Sequence, residues 1–156
     1  MRRSTDPPGT STDGPASTAS RLVVDASAML SIALVPGPRA DELASSLSES
    51  ELHAPAILPF EIANVLRRRR LAGLLSADAA RSVDAGLSRL PVELWPFDLV
   101  RDRVWHLAEV MSAYDASYVA LAERLGARLI SMDRRLARAP GVRCDVLVPT
   151  DRPDVS

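Results

Sequence analysis

The segment Arg21-Leu-Val-Val-Asp-Ala-Ser27 places a carboxylate directly after three consecutive apolar residues. Leu22, Val23 and Val24 are not interrupted by a polar residue, which predicts a strand that is buried on both faces of a sheet. In an open parallel sheet, the carboxyl ends of the strands open onto one crevice, and ligands bind there. The acid that ends this strand, Asp25, is therefore the first candidate for a functional site.

Short apolar runs alternate with stretches of helical period along the rest of the chain. Further strands are predicted at 52–54, 92–95 and 128–131 and within 142–148, and helices at 39–48, from Pro59 onward, and at 76–90, 98–110 and 114–125. Strand–helix alternation implies right-handed crossovers and a mainly parallel sheet that helices cover on both faces. We therefore expect an α/β fold, a three-layer sandwich with a mainly parallel central sheet.

Both ends of the chain differ in composition from the middle. Residues 1–20 are rich in Ser, Thr, Pro and Gly, and residues 150–156 are again polar. Such segments cannot bury enough apolar surface to offset the entropy lost on ordering. We expect a disordered tail over 1–20, a folded domain over 21–149 and a C-terminal tail over 150–156. No signal-peptide core and no apolar run of about 20 residues is present, so the expected location is cytoplasmic, with no membrane contact.

The composition excludes several classes of site. The net charge is -1, which argues against a protein that coats nucleic acid through its overall charge. All 19 basic residues are arginine. Phosphoacceptor receivers and haloacid-dehalogenase-type phosphohydrolases place a lysine near the phosphoryl group, and a Walker loop also needs a lysine. The chain has no lysine, which argues against all three kinds of site. The single cysteine, Cys144, cannot build a Cys-rich zinc site.

Three further acids share the apolar surroundings of Asp25, namely Glu61, Asp115 and Asp133. Taken singly, each has a structural explanation, because an acid after a strand or in a first helical turn can cap the helix or complement its dipole. Taken together, four acids at one crevice repel one another unless protons or a metal ion neutralise them. The pattern therefore favours a site for a hard divalent cation, which prefers oxygen ligands.

Hydroxyl and amide side chains accompany these acids. Ser27, Asn64 and Ser131 each stand two or three residues from one of them. At these spacings such groups can hold a carboxylate or a metal-bound water in position. Serine and asparagine near helix ends also satisfy backbone groups, and the sequence leaves both interpretations open.

Four segments together resemble the PIN-domain nucleases, and in particular the VapC-type toxin ribonucleases of toxin–antitoxin pairs. The segments are Val23-Val-Asp25-Ala-Ser27-Ala, Glu61-Ile-Ala-Asn64-Val-Leu, Tyr114-Asp115-Ala-Ser-Tyr-Val-Ala-Leu-Ala-Glu-Arg-Leu-Gly126-Ala and Leu129-Ile-Ser-Met-Asp133-Arg-Arg-Leu. The last two are specific in combination, because their lengths and spacing match that family as well as their residues do. The resemblance extends over about 21–147.

This resemblance implies Asp25, Glu61, Asp115 and Asp133 as the catalytic, metal-binding quartet. It also implies a Mg²⁺- or Mn²⁺-dependent endoribonuclease that forms a homodimer and binds a VapB-type antitoxin. As a hypothesis, Asp25 and Asp115 contact the metal directly, whereas Glu61 and Asp133 act through water or bind a second ion. The cation would help a water molecule to attack the RNA phosphodiester.

Two alternatives concern binding. Arg67 and Arg68 lie one to two turns beyond Glu61, where they could meet RNA phosphates, although a solvated helix end explains these cations equally well. The alternative function is a non-catalytic binding subunit whose acidic pocket captures a partner's arginine. An acidic crevice attracts an arginine in either case, so binding of a partner does not distinguish the two functions. A test of RNA cleavage does.

The aromatic residues fall at helix or strand spacing together with aliphatic residues. This spacing predicts core packing or a dimer interface, more than a platform for stacking bases, for Trp95, Trp105, Tyr114 and Tyr118. Neither histidine has a neighbour that suits acid–base chemistry.

Overall fold

A computed structural model describes residues 20–149 of the chain. The predicted tails, 1–20 and 150–156, lie outside the described residues except for Ser20. The strands are β1 (Ser20–Val24), β2 (Ser50–Pro55), β3 (Val92–Trp95), β4 (Arg128–Ile130) and β5 (Val146–Leu147). The helices are α1 (Ala26–Leu34), α2 (Pro38–Ser48), α3 (Leu58–Leu71), α4 (Ala77–Leu87), α5 (Arg101–Leu107) and α6 (Ala113–Leu125), and short 3-10 turns span Phe97–Leu99 and Leu136–Arg138.

The strands form one sheet in the order β3-β2-β1-β4-β5, and every pairing is parallel. From β1 the chain first builds one half of the sheet through β2 and β3 and then the other half through β4 and β5, so the strand order reverses at β1. The register pairs Val24 with Ile130. The next residues, Asp25 and Ser131, therefore leave neighbouring strands side by side, at the switch point where parallel sheets bind ligands.

Helices cover the sheet and complete the predicted three-layer α/β sandwich. Helix α6 packs across β1, β2 and β4, with α5 packed on α6, while α1 contacts α2, α3 and α4, and α2 packs on β2. The side chains of Val23, Val119, Leu121 and Leu129 are fully buried at the centre. Burying each such side chain contributes about 1.5–3 kcal/mol, so the contact of α6 with the sheet carries much of the hydrophobic stabilisation.

Some predicted elements were wrong in their bounds. The sequence pattern predicts no helix between Asp25 and Pro38, yet α1 lies there, because its residues are mostly apolar and show no polar face from which a helical period could be detected. The predicted helix over 98–110 is divided at Val100, whose φ of -121° and ψ of -2° depart from helical values. The predicted helix over 76–90 ends at Leu87.

The aromatic residues follow the prediction only in part. Tyr118 is 3% exposed and belongs to the core. Trp105 and Tyr114 are 69% and 59% exposed, which excludes core packing for these two and leaves the dimer interface as the remaining prediction. Within residues 20–149, no helix combines the length and the apolarity that crossing a bilayer requires.

Candidate active site

Asp25 ends β1 and caps the N-terminus of α1. Its Oδ1 accepts hydrogen bonds from Ser27 Oγ at 2.7 Å and from the backbone N–H of Ala28 at 2.8 Å. The residue is only 9% exposed. Burial raises the pKa of Asp25, the charge of Asp115 raises it further, and hydrogen bonds from Ser131 and from the two α1 groups oppose the shift only in part. The ionised form of Asp25 is therefore electrostatically unfavourable, and a nearby cation would stabilise it.

Two serines connect Asp25 to the loop that follows β4. The Ser27 hydroxyl donates to Asp25 and accepts the backbone N–H of Met132 at 2.9 Å. The fully buried Ser131 lowers the pKa of Asp25, and its hydroxyl accepts the N–H of Asp133 at 3.0 Å. These contacts hold the ends of β1 and β4 together and fix the orientation of the Asp25 carboxylate.

Glu61 lies in the first turn of α3 and is partly buried. Its Oε2 accepts a hydrogen bond from the Tyr118 hydroxyl of α6. Burial raises the pKa of Glu61, the hydrogen bond from Tyr118 lowers it, and the charges of Asp25 and Asp115 raise it again. The sequence prediction missed Tyr118, although its position three residues after Asp115 places both on one face of α6.

Asp115 lies in the first turn of α6 and takes part in the cap of that helix. Ser112 Oγ accepts the backbone N–H of Asp115 at 3.1 Å and donates to its Oδ2 at 2.9 Å. Ser112 is therefore the N-cap of α6, and its hydroxyl holds the Asp115 carboxylate. The same carboxylate also acts on the site, because its negative charge raises the pKa values of both Asp25 and Glu61.

Asp133 differs from the other three acids because it has its own counter-ion. Arg135 contacts both carboxylate oxygens, with Nε at 3.0 Å from Oδ1 and Nη2 at 2.6 Å from Oδ2. This hydrogen-bonded pair lowers the pKa of Asp133. The structure thus couples Asp25, Glu61 and Asp115 electrostatically, whereas Asp133 is neutralised by a neighbour two residues away.

The remaining predicted residues lie on the exposed side of α3. Asn64, Arg67 and Arg68 are all exposed. No hydrogen bond joins Asn64 to Glu61 in the described part of the chain, and a role of the amide toward a metal-bound water stays a prediction. Support of Glu61 comes from Tyr118 on another helix.

The donor set suits a hydrated divalent cation more than an enclosed one. Among the residues that the structure describes, no three Asp, Glu, His or Cys side chains surround a point where a metal ion would fit. Mg²⁺ does not need such a cage, because it keeps several waters and takes only one or two carboxylates from the protein. Asp25, Glu61 and Asp115 supply oxygen donors and an excess of negative charge, and these residues therefore fit such an ion.

Known proteins share this sequence pattern and this fold. The family model of the PIN domain matches residues 22–142. The chain is 37% identical over 127 residues to the VapC ribonuclease Mb0985 of Mycobacterium bovis, a match that covers 81% of this chain and 97% of that protein. It is 36% identical over 125 residues to ribonuclease VapC1 of Mycobacterium tuberculosis, covering 80% and 94%.

Solved structures of lower identity share the fold. PAE2754 from Pyrobaculum aerophilum has a TM-score of 0.60 at 24% identity, covering 83% of this chain and 92% of that one. VapBC2 from Rickettsia felis, bound to a DNA fragment from its promoter, has a TM-score of 0.59 at 12% identity, covering 81% and 98%. The family match and the sequence identities, which extend over most of the described residues, show that this chain belongs to the PIN domain family.

Proposed function

We propose that the protein is a metal-dependent endoribonuclease that acts as the toxin of a toxin–antitoxin pair. The observation that carries the proposal is the mutual influence of Asp25, Glu61 and Asp115, which come from three separate elements of a PIN-domain fold. The names of the relatives support the substrate, since these proteins are ribonucleases of the VapC type and share 36–37% of their aligned residues with this chain.

The acids divide between direct and indirect contact with Mg²⁺ or Mn²⁺. Asp25 and Asp115 would hold the ion directly, and Glu61 and Asp133 would act through water or a second ion. When bound, such an ion supplies a Lewis acid for the phosphodiester and lowers the pKa of water. Ser27, Ser131 and Tyr118 orient these carboxylates before the substrate arrives, in the manner of groups that support metal ligands elsewhere.

The proposed partners are a VapB-type antitoxin, RNA and a second copy of the chain. The likeness to the VapBC2 structure supports the antitoxin, and an acidic crevice attracts an arginine from such a partner. Arg67 and Arg68 are exposed cations that can meet RNA phosphates. Exposed apolar side chains such as Leu74 and Trp105 offer surface for a homodimer.

The test is cleavage of a mixed RNA pool by the purified protein with Mg²⁺ or Mn²⁺. We expect cleavage by the wild-type protein, none without metal, and none by Asp115→Asn, whose amide retains an acceptor for Ser112. Asp84→Asn, at an exposed acid of α4, is the matched control and should cleave normally. A well-folded wild-type protein that cleaves no RNA with either metal supports the non-catalytic binding subunit instead.

A further inference from the structure

Two exposed aromatic rings stand beside the candidate active site. Phe60 is 72% exposed and Tyr114 is 59% exposed. Each directly precedes an acid of the site, Glu61 in the first turn of α3 and Asp115 in the first turn of α6. The chain contains only six Phe, Trp and Tyr residues, so two of these six flank the proposed catalytic acids.

Contacts at the site bring the first turns of these two helices together. Tyr118 of α6 donates to Glu61 of α3, which joins the helices near their N-termini. Tyr114 lies one helical turn before Tyr118, on the same face of α6 and nearer to solvent. Phe60 lies about 100° around α3 from Glu61. Each helix thus carries one exposed ring directly before an acid of its first turn.

The negative charges of the acids determine which part of an RNA strand can approach the rings. The carboxylates repel RNA phosphates, so a strand needs favourable contacts next to the phosphate that is cleaved. Nucleobases are uncharged and have flat faces that stack on Phe and Tyr without base-specific hydrogen bonds. Two exposed rings, one on each of the helices that supply Glu61 and Asp115, could contact the two bases that lie on either side of a phosphate.

We infer that Phe60 and Tyr114 stack on the two bases that flank the scissile phosphate and so position the RNA strand over the acids. The inference rests on the proposed ribonuclease function and adds a base-binding pair to it. Only unpaired bases can reach such rings, so the strand is single-stranded at the cleaved bond. The two residues position the strand and take no part in proton transfer.

The first test measures affinity for a single-stranded oligoribonucleotide of mixed sequence by fluorescence anisotropy. The measurement uses Asp115→Asn with Mg²⁺, so that the RNA stays intact. We expect Phe60→Leu and Tyr114→Leu each to weaken binding about 5- to 50-fold, which lies within the range for one stacked base. Phe60→Tyr and Tyr114→Phe keep a ring and should bind as tightly as the background.

A matched control separates stacking from general loss of apolar surface. Leu71 is 63% exposed and lies eleven residues after Phe60 on the same helix, about 16 Å along its axis. Leu71→Ala should leave RNA affinity unchanged. Melting temperatures of all variants should match that of the background, because the substituted side chains are exposed.

The second test removes the base instead of the ring. An RNA with an abasic nucleotide beside the mapped cleavage site should bind less tightly to the protein with both rings. The leucine substitution of the ring that faces the abasic nucleotide should then cost little further affinity, because that ring has no base to contact, whereas the other leucine substitution should keep its full effect. In the cleaving protein, the leucine variants should raise KM more than they lower kcat.

The outcomes distinguish this inference from the proposed function. Unchanged RNA affinity in both leucine variants, or fully additive effects of ring and base removal, overturns the inference. Weaker antitoxin binding with unchanged RNA binding assigns the rings to the protein partner and also overturns it. If the wild-type protein cleaves no RNA, the proposed function fails, while the binding measurements still decide whether the rings stack on bases.

Discussion

The Tyr118 hydroxyl of α6 donates a hydrogen bond to Glu61 of α3 across 57 positions of sequence. Tyr118 is buried, and burial followed by the contact with Glu61 raises its pKa, so the phenol stays protonated and remains a donor. A protonated donor favours the ionised form of Glu61. This contact therefore joins two helices, orients the Glu61 carboxylate and opposes the rise in its pKa that burial causes.

Tyr118→Phe tests this role, because it removes the donor while the ring still fills the core. We expect metal affinity or cleavage to fall about 10- to 100-fold, the usual effect of losing a group that orients a metal ligand. The metal-induced rise in melting temperature and the value of kcat measure the effect. Tyr114→Phe, which removes an exposed hydroxyl from the same helix, is the control. Unchanged metal binding and cleavage in Tyr118→Phe would contradict the role of this hydrogen bond.

Asp25 is both a helix cap and a buried charge, and two substitutions separate these roles. Asp25→Asn keeps an acceptor for the Ala28 N–H and removes the charge, so the metal-free protein should become more stable at pH 7. Asp25→Ala also loses the cap, at a cost of about 0.5–2 kcal/mol. Urea unfolding in the presence of a chelator should rank asparagine above alanine. We expect Mg²⁺ to stabilise the wild-type protein and neither of these variants.

The pH dependence of stability gives an independent test of the same burial. Since burial raises the pKa of Asp25 above its ordinary value of 3.8, the folded protein binds this proton more tightly than the unfolded chain does. The stability gained from protonation is complete below that value and is lost as pH rises through the folded pKa. Between about pH 4 and pH 7, the unfolding free energy of metal-free Asp25→Asn should therefore fall less than that of the wild type. If the unfolding free energies of the two proteins change in parallel over this pH range, burial does not raise the pKa of Asp25.

We expect Arg135 to compete with a cation at the proposed site. It contacts both oxygens of Asp133, and the charge of Asp115 also acts on it. Arg135→Gln should tighten Mn²⁺ binding about threefold or more, because one positive charge is removed near the acids. The melting temperature should change little, since the arginine is exposed. Calorimetric titration with Mn²⁺ measures the affinity, and Arg128→Gln, at another exposed arginine, is the control. Equal Mn²⁺ affinities of Arg135→Gln and the wild-type protein would show that Arg135 does not oppose metal binding.

The ion pair of Arg103 and Glu123 stabilises the packing of α5 on α6, away from the proposed site. Arg103 Nε lies 2.6 Å from Glu123 Oε2, and the two side chains are 23% and 12% exposed. Burial alone would raise the pKa of Glu123, but hydrogen bonds from Arg103 and from the Arg143 N–H, together with their charges, lower it overall. Glu123→Gln should therefore reduce the unfolding free energy at pH 7 by about 1–3 kcal/mol without changing RNA cleavage.

The sign of the pH effect is opposite to that at Asp25. Because the folded pKa of Glu123 is lowered, its contribution is present above the ordinary value of 4.5 and is lost as pH falls through the folded pKa. The stability difference between wild type and Glu123→Gln should therefore shrink in acid. Glu109→Gln, at an exposed acid, is the control and should show a smaller difference at every pH. A pH-independent difference would mean that the substitution acts through packing alone.

Much of the fold could be predicted because local patterns mark it. The apolar run before Asp25 and the one before Ser131 predict buried strands, and Gly126 ends α6 with a positive φ of 59°, as its position after Leu125 indicates. Helix α1 could not be predicted in this way, because a segment buried on most sides lacks the polar face that reveals a helical period.

The sequence by itself determined the parallel sheet and the placement of acids at the starts of helices, because apolar strand segments and helix caps depend on residues that are adjacent in the chain. Only the tertiary structure decided how each acid is held. It paired Tyr118 with Glu61, and it left Phe60 and Tyr114 exposed next to two of the acids. The packing of α3 and α6 beside the sheet sets these contacts and exposures, and such packing joins residues that are far apart in the chain and share no local pattern.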